Sequence, residues 1–169
     1  MRSPILTGLL LASLLALPAV AAPPPPLTSA GLGPVKVGMR ERDAVRLGLK
    51  VPHDDEVSTF ECRELTWPAY PSVRVMAQEG RITRISLYDP GPIRTDKGFG
   101  VGSSEADIVR AYGASLKVDP HHYEGKPAHY LTAWSANGAH GVRYETNSKR
   151  KVTAVHAGDR SIELVESCL

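Results

Sequence analysis

The residues of this 169-residue chain able to do chemistry are few: six histidines, two cysteines and one glycine-rich run. Zinc and catalytic histidines favour a close helical spacing such as H-E-x-x-H, or ligands on neighbouring strands. His53, His121, His122, His129, His140 and His156 show no such spelling. His121 and His122 follow Asp119-Pro120 in an expected loop, and His129 and His140 flank an expected strand. A site assembled from His121, His129 and His140 would have no recognisable motif, and these histidines are read as solvated loop residues. The run "KGFGVGSS", Lys97 to Ser104, places glycines before a helix start, where anions bind. It lacks the third glycine of the dinucleotide fingerprint, with Ser103 in its place, and the lysine of the Walker pattern. Neither "VGSSE" nor "AWSAN" is a nucleophile elbow, and Asp54, Asp55 and Glu56 read as an acidic solvated loop. No catalytic, cofactor-binding or metal-binding residue is assigned, no cofactor is expected, and the protein is not expected to be an enzyme.

The cysteines and aromatics say more. Cys62 and Cys168 are an even pair, which in an oxidising compartment is expected to form a disulfide tying the C-terminus to the first half. "TWPAYP", Thr66 to Pro71, holds Trp67 and Tyr70 in a proline-stiffened loop, and "HHYEGKP" holds Tyr123 in a counterpart. Rigid rings offer contact area at low entropic cost, so Trp67, Tyr70 and Tyr123 are the candidate binding residues. Trp134 and Tyr144 are expected in the sheet core.

These loops must be held by elements, and the chain writes one element twice. "VGMRERDAVR", Val37 to Arg46, and "VGSSEADIVR", Val101 to Arg110, agree at six of ten positions, including Glu41/Glu105, Asp43/Asp107 and Arg46/Arg110. Each reads as a short strand turning at glycine into an amphipathic helix that stops at Gly48 or Gly113. Ile108, Val109 and Tyr112 form the apolar stripe of the second, and Met39, Ala44, Val45 and Leu47 that of the first. Ser103 or Ser104 is expected to cap the second helix; Arg40 stands opposite Ser104. A hairpin follows each helix, one turning at Glu79-Gly80 and one at Asn147-Ser148, with a preceding strand near Phe60 or Ala128. Units of about 60 residues are marginal alone, so the expected fold is α+β, two tandem helix-plus-antiparallel-sheet repeats in one compact body.

The N-terminus, with Arg2, an apolar run from Ile5 to Leu17, and Pro18 before Ala19-Val20-Ala21, reads as a signal peptide over 1–21. The apolar run is shorter than the roughly 20 residues a spanning helix needs. The expected organisation is then a proline-rich tether over 22–30, a first repeat over 31–92 and a second over 93–169. The expected location is periplasmic or secreted, with no membrane anchor after the signal is removed. A formal charge of +2 provides little field for nucleic acid, and "SKRK", Ser148 to Lys151, reads as a solvated hairpin tip.

The phrase "VKVGMRERDAVRLG" resembles the opening of the beta-lactamase inhibitory protein family and of the related small lipoproteins of outer-membrane assembly. That family joins two helix-plus-sheet units in tandem, although here Arg40 replaces a threonine, Ser103 a methionine, and one long-range cysteine pair the family's local disulfides. The resemblance implies an exported, non-catalytic protein that binds a protein partner in the cell envelope, as an inhibitor or modulator of an envelope enzyme. The alternatives are a structural envelope-assembly factor and a small histidine-dependent hydrolase or metal-binding protein.

Overall fold

The computed structural model describes residues 23–52 and 61–168. The acidic stretch at 54–56, His53 and the signal-peptide reading lie outside these residues. Packing begins within the proline-rich segment: Leu27 is fully buried and its N–H donates to Arg94 O. It opens a small antiparallel sheet of three two-residue strands, β1 (Leu27–Thr28), β2 (Gly31–Leu32) and β3 (Val35–Lys36). Gly31 has φ +144°, and a Cβ there would meet Val35 O at 2.2 Å, so this close pairing needs glycine.

Two short helices follow the repeated phrases, α1 (Glu41–Arg46) and α2 (Glu105–Tyr112). The remaining strands are β4 (Cys62–Thr66), β5 (Val73–Gln78), β6 (Arg81–Leu87), β7 (Leu116–Pro120), β8 (His129–Trp134), β9 (Gly141–Thr146) and β10 (Val152–Gly158). They form one antiparallel sheet in the order β4-β5-β6-β10-β9-β8-β7. The alternation of "VRVMAQ" sends Val73, Val75 and Ala77 to one face, and Glu79 and Gly80, both at positive φ, close the two-residue turn into β6. Register then carries the apolar face across the sheet: Val73 opposes Leu87, Leu87 opposes Val155, Val155 opposes Tyr144 and Tyr144 opposes Leu131. Ala44 of α1 and Ile108 of α2 complete the core on that side.

The described fold is mainly β, which corrects the weight given to helix. The helices have six and eight residues, and Val45, Leu47 and Val109, expected in their buried stripes, are exposed. The cap expectation is also corrected, since Ser104 makes no side-chain cap bond and Ser103 Oγ accepts instead from Gly100 N. The hairpin supplies the acceptor: Glu105 N donates to Arg150 O, as Glu41 N donates to Gly80 O. A backbone carbonyl thus satisfies the first orphan N–H of each helix, which is why arginine is tolerated at position 40. Strand β7 was not foreseen, and "FGVG" is turn rather than strand. The disulfide expected between Cys62 and Cys168 is present, with Cα atoms 5.4 Å apart and a sequence separation of 106. No helix of the described residues is long and apolar enough to cross a membrane.

Candidate functional site

Opposite the core, the same register assembles a polar face. Arg74, Ser86, His156, Arg143, Thr132 and Lys117 are successive cross-strand partners over β5, β6, β10, β9, β8 and β7. In the next row Glu145 opposes Tyr130, and Tyr130 opposes Asp119. Six adjacent strands therefore contribute polar side chains to one face.

At its centre Ser86 Oγ lies 2.8 Å from His156 Nδ1, and His156 Nε2 lies 3.2 Å from Glu145 Oε1. Burial would raise the Glu145 carboxyl, but the hydrogen bond from His156 and nearby positive charge, the Arg143 guanidinium included, outweigh it and hold the group below its usual range. Burial pushes His156 down and so keeps it neutral. An ionised carboxylate only accepts, so Nε2–H donates to Glu145, and Nδ1 accepts from the Ser86 hydroxyl. This is the proton polarity of a serine–histidine–acid relay. A hydrolase also needs oxyanion donors near its nucleophile. Ser86 lies inside the sheet, paired with Arg74 on one side and His156 on the other, which commits the local backbone to the ladder, and it is 2% exposed. These hydrogen bonds link β6, β10 and β9 through their side chains at the centre of the sheet.

His121 approaches the same carboxylate, its Nε2 3.6 Å from Glu145 Oε2. Its Nδ1 accepts from Tyr123 N and Glu124 N, each at 3.2 Å, which places the proton on Nε2 and leaves no lone pair there for a metal. His121 stacks on Tyr130 at 4.4 Å, and the Arg143 guanidinium lies 4.6 Å from the centre of the same ring. His129 belongs to a different carboxylate, with Nδ1 3.0 Å from Glu105 Oε1. His121 and His129 thus do not converge, and among the described residues no group of three or more histidine, cysteine or acidic side chains is placed to hold a metal ion.

The C-terminal residues 160–168 cross the polar face as a strap. Arg84, fully buried on β6, donates to Ser161 O and Leu164 O, and Arg143 donates to Glu163 O. Ser167 Oγ donates to Glu64, and Cys168 closes the strap onto β4. No protein-family model matches the chain, and no curated protein or solved structure matches it.

The three aromatic candidates occupy different environments. Trp67 is 5% exposed within the core, edge-on to a half-buried Tyr70 at 4.8 Å. Tyr123 is 65% exposed, and its hydroxyl donates to Glu166 of the strap. The structure therefore brings Tyr123, His121 and the strap together and keeps Trp67 apart from them. Sequence reasoning missed Ser86, Glu145 and His156. The alternation of Arg84, Ser86 and Tyr88, and of Arg143 and Glu145, was the available signal for a polar sheet face.

Proposed function

We propose that the chain is an exported, non-catalytic binding protein built by tandem duplication, similar in plan to the beta-lactamase inhibitory proteins and directed at a protein of the cell envelope. The observation that carries this reading is a set of hydrogen bonds made twice. Gly38 N donates to Ile82 O, Ile82 N to Met39 O, and Glu41 N to Gly80 O; Gly102 N donates to Val152 O, Val152 N to Ser103 O, and Glu105 N to Arg150 O. Six bonds at matched positions support a duplicated unit more strongly than the short shared phrase does. The disulfide supports an oxidising compartment. Tyr123 beside the strap is the aromatic contact this reading favours, with Trp67 and Tyr70 bracing their loop from within.

The experiment is capture from a cell-envelope extract on immobilised oxidised protein, followed by reconstitution of the captured protein as a purified stoichiometric complex. The reading expects a complex that Tyr123→Ala weakens and Val118→Ser, at another exposed site, does not. A purified complex indifferent to Tyr123→Ala would remove this contact surface. Turnover of a substrate that stops in Ser86→Ala would replace the reading with the hydrolase alternative.

A further inference from the structure

The duplication provides an internal comparison, because a residue the architecture needs should recur in both copies. Glu41, Asp43 and Arg46 recur as Glu105, Asp107 and Arg110. Arg40 and Arg42 do not recur, for the second copy has Ser104 and Ala106 at the matched places. Arg40 and Ser104 make the same bridge to the hairpin, to Arg81 and to Lys151, so the helix start tolerates either residue. Neither Arg40 nor Arg42 makes a side-chain hydrogen bond or ion pair among the described residues, and both are exposed. A lone exposed arginine carries no message, since solvation is cheap.

These two arginines stand on the rim of a cleft. Arg40, Arg42, Arg46 and Arg63 line a cavity of about 690 Å³ beside α1, together with Val45 and Glu41. Among the described residues the one lining carboxylate, Glu41, is engaged by Arg63 at 3.0 Å, and Arg46 is engaged by Asp43 at 2.8 Å. The cleft therefore carries an excess of positive charge around partly apolar walls, at a size within the roughly 300–1,000 Å³ typical of ligand pockets. Guanidinium forks recognise carboxylates in pairs. Cations set around a concavity suit a protruding chain that carries carboxylates, and vesicles in the test below separate this occupant from an anionic lipid surface.

We propose that the cleft beside α1 binds a protruding acidic segment of a partner protein, with Arg40 and Arg42 as the residues that read its carboxylates. This rests on the duplication reading and adds a second contact, separate from Tyr123, with a stated chemistry.

The test uses the full oxidised chain and a fluorescein-labelled hexaglutamate peptide, with binding read by anisotropy at low and moderate salt. The expected result is saturable binding that weakens with salt. It should weaken by about tenfold or more in Arg40→Ser/Arg42→Ala, as the loss of two charge contacts implies, and stay unchanged in Arg110→Ala beside α2. The double variant installs the second copy's own residues, and an unchanged melting temperature shows that it folds. Equal binding by the double variant overturns the proposal. So does binding of phosphatidylglycerol vesicles without peptide binding, which would make the cleft a lipid contact. Peptide binding that emerges only in Asp54→Asn/Asp55→Asn/Glu56→Gln would overturn it too, by assigning the cleft to the chain's own acids. Because the assay contains no envelope extract, its failure leaves capture through Tyr123 standing, and failed capture leaves the cleft standing.

Discussion

Glu105 holds in the second helix the place that Glu41 holds in the first: each is the opening helical residue, each is buried, and each is met by a nitrogen-bearing side chain from a strand of the following meander. Arg63 of β4 lies 3.0 Å from Glu41, and His129 of β8 lies 3.0 Å from Glu105. Glu105 also accepts from Thr146 and Arg150, both at 3.0 Å. The shared glutamate of the repeated phrase is thus a joint between helix start and sheet, placed where the helix dipole favours negative charge.

Removing that joint exposes the asymmetry between the copies. Glu105→Ala removes an acceptor shared by His129, Thr146 and Arg150 and is expected to cost about 2–3 kcal/mol, and Glu105→Gln less, because the amide oxygen still accepts. Glu41→Ala is expected to cost less than Glu105→Ala. Urea unfolding of the three variants checks the order, and equal costs for Glu41→Ala and Glu105→Ala would contradict it.

The strap depends on its fastener. With the cysteines separated by 106 positions in sequence, Cys62→Ser/Cys168→Ser is expected to lose about 2–4 kcal/mol, below the chain-entropy ceiling of roughly 5 kcal/mol. Amide exchange should accelerate first at 160–168, where the remaining anchors include Arg84, Arg143, Glu64 and Tyr123.

Arg84 should matter independently of the disulfide. Its guanidinium is buried and donates to two strap carbonyls, so Arg84→Met in oxidised protein is expected to accelerate exchange at 161–164 while Cys168 still holds the end. Unchanged protection there would show that the carbonyl contacts do not anchor the strap.

Acid should weaken the centre of the sheet. His156 is pushed by burial below its ordinary 6.5, so as pH falls below about 6.5 the unfolded chain binds a proton that the folded one refuses, and stability drops. Glu145, held below its ordinary 4.5, adds a second loss as pH falls from that value through its folded pKa. His156→Gln should flatten the first part of the curve and shrink the second, because the hydrogen bond from His156 helps to hold Glu145 down. Chemical denaturation between pH 7 and about pH 3 reads both, and an identical curve in the variant would refute the assignment.

The relay geometry also makes a chemical prediction. Ser86, committed to the ladder and buried, is expected to resist a fluorophosphonate probe that labels activated serines. Stoichiometric labelling lost in Ser86→Ala would establish a reactive nucleophile.

Much of this architecture was legible because it is local. The Glu79-Gly80 turn, the alternation of Val73, Val75 and Ala77, and the stops at Gly48 and Gly113 are all written within a few residues of where they act. The cysteine pair was legible for a different reason: two thiols in an oxidising setting leave one partner each. The polar network was not legible, because Ser86 meets His156 across 70 residues of chain, and only the order β6-β10-β9 brings Glu145 beside them. Trp67 misled because prolines on its flank look the same whether the ring faces solvent or core. Arg40 looked like a poor cap because the true cap, a hairpin carbonyl, lies at Gly80.

The most direct test of the two matched joints is native-state hydrogen exchange at six amides: Gly38, Glu41 and Ile82 at the first helix start, and Gly102, Glu105 and Val152 at the second. The account predicts that all six exchange only through global unfolding, at the free energy measured by urea. Exchange of either trio through a lower-energy opening while the other stays protected would contradict the claim that both copies are spliced to the sheet in the same way and stand or fall together.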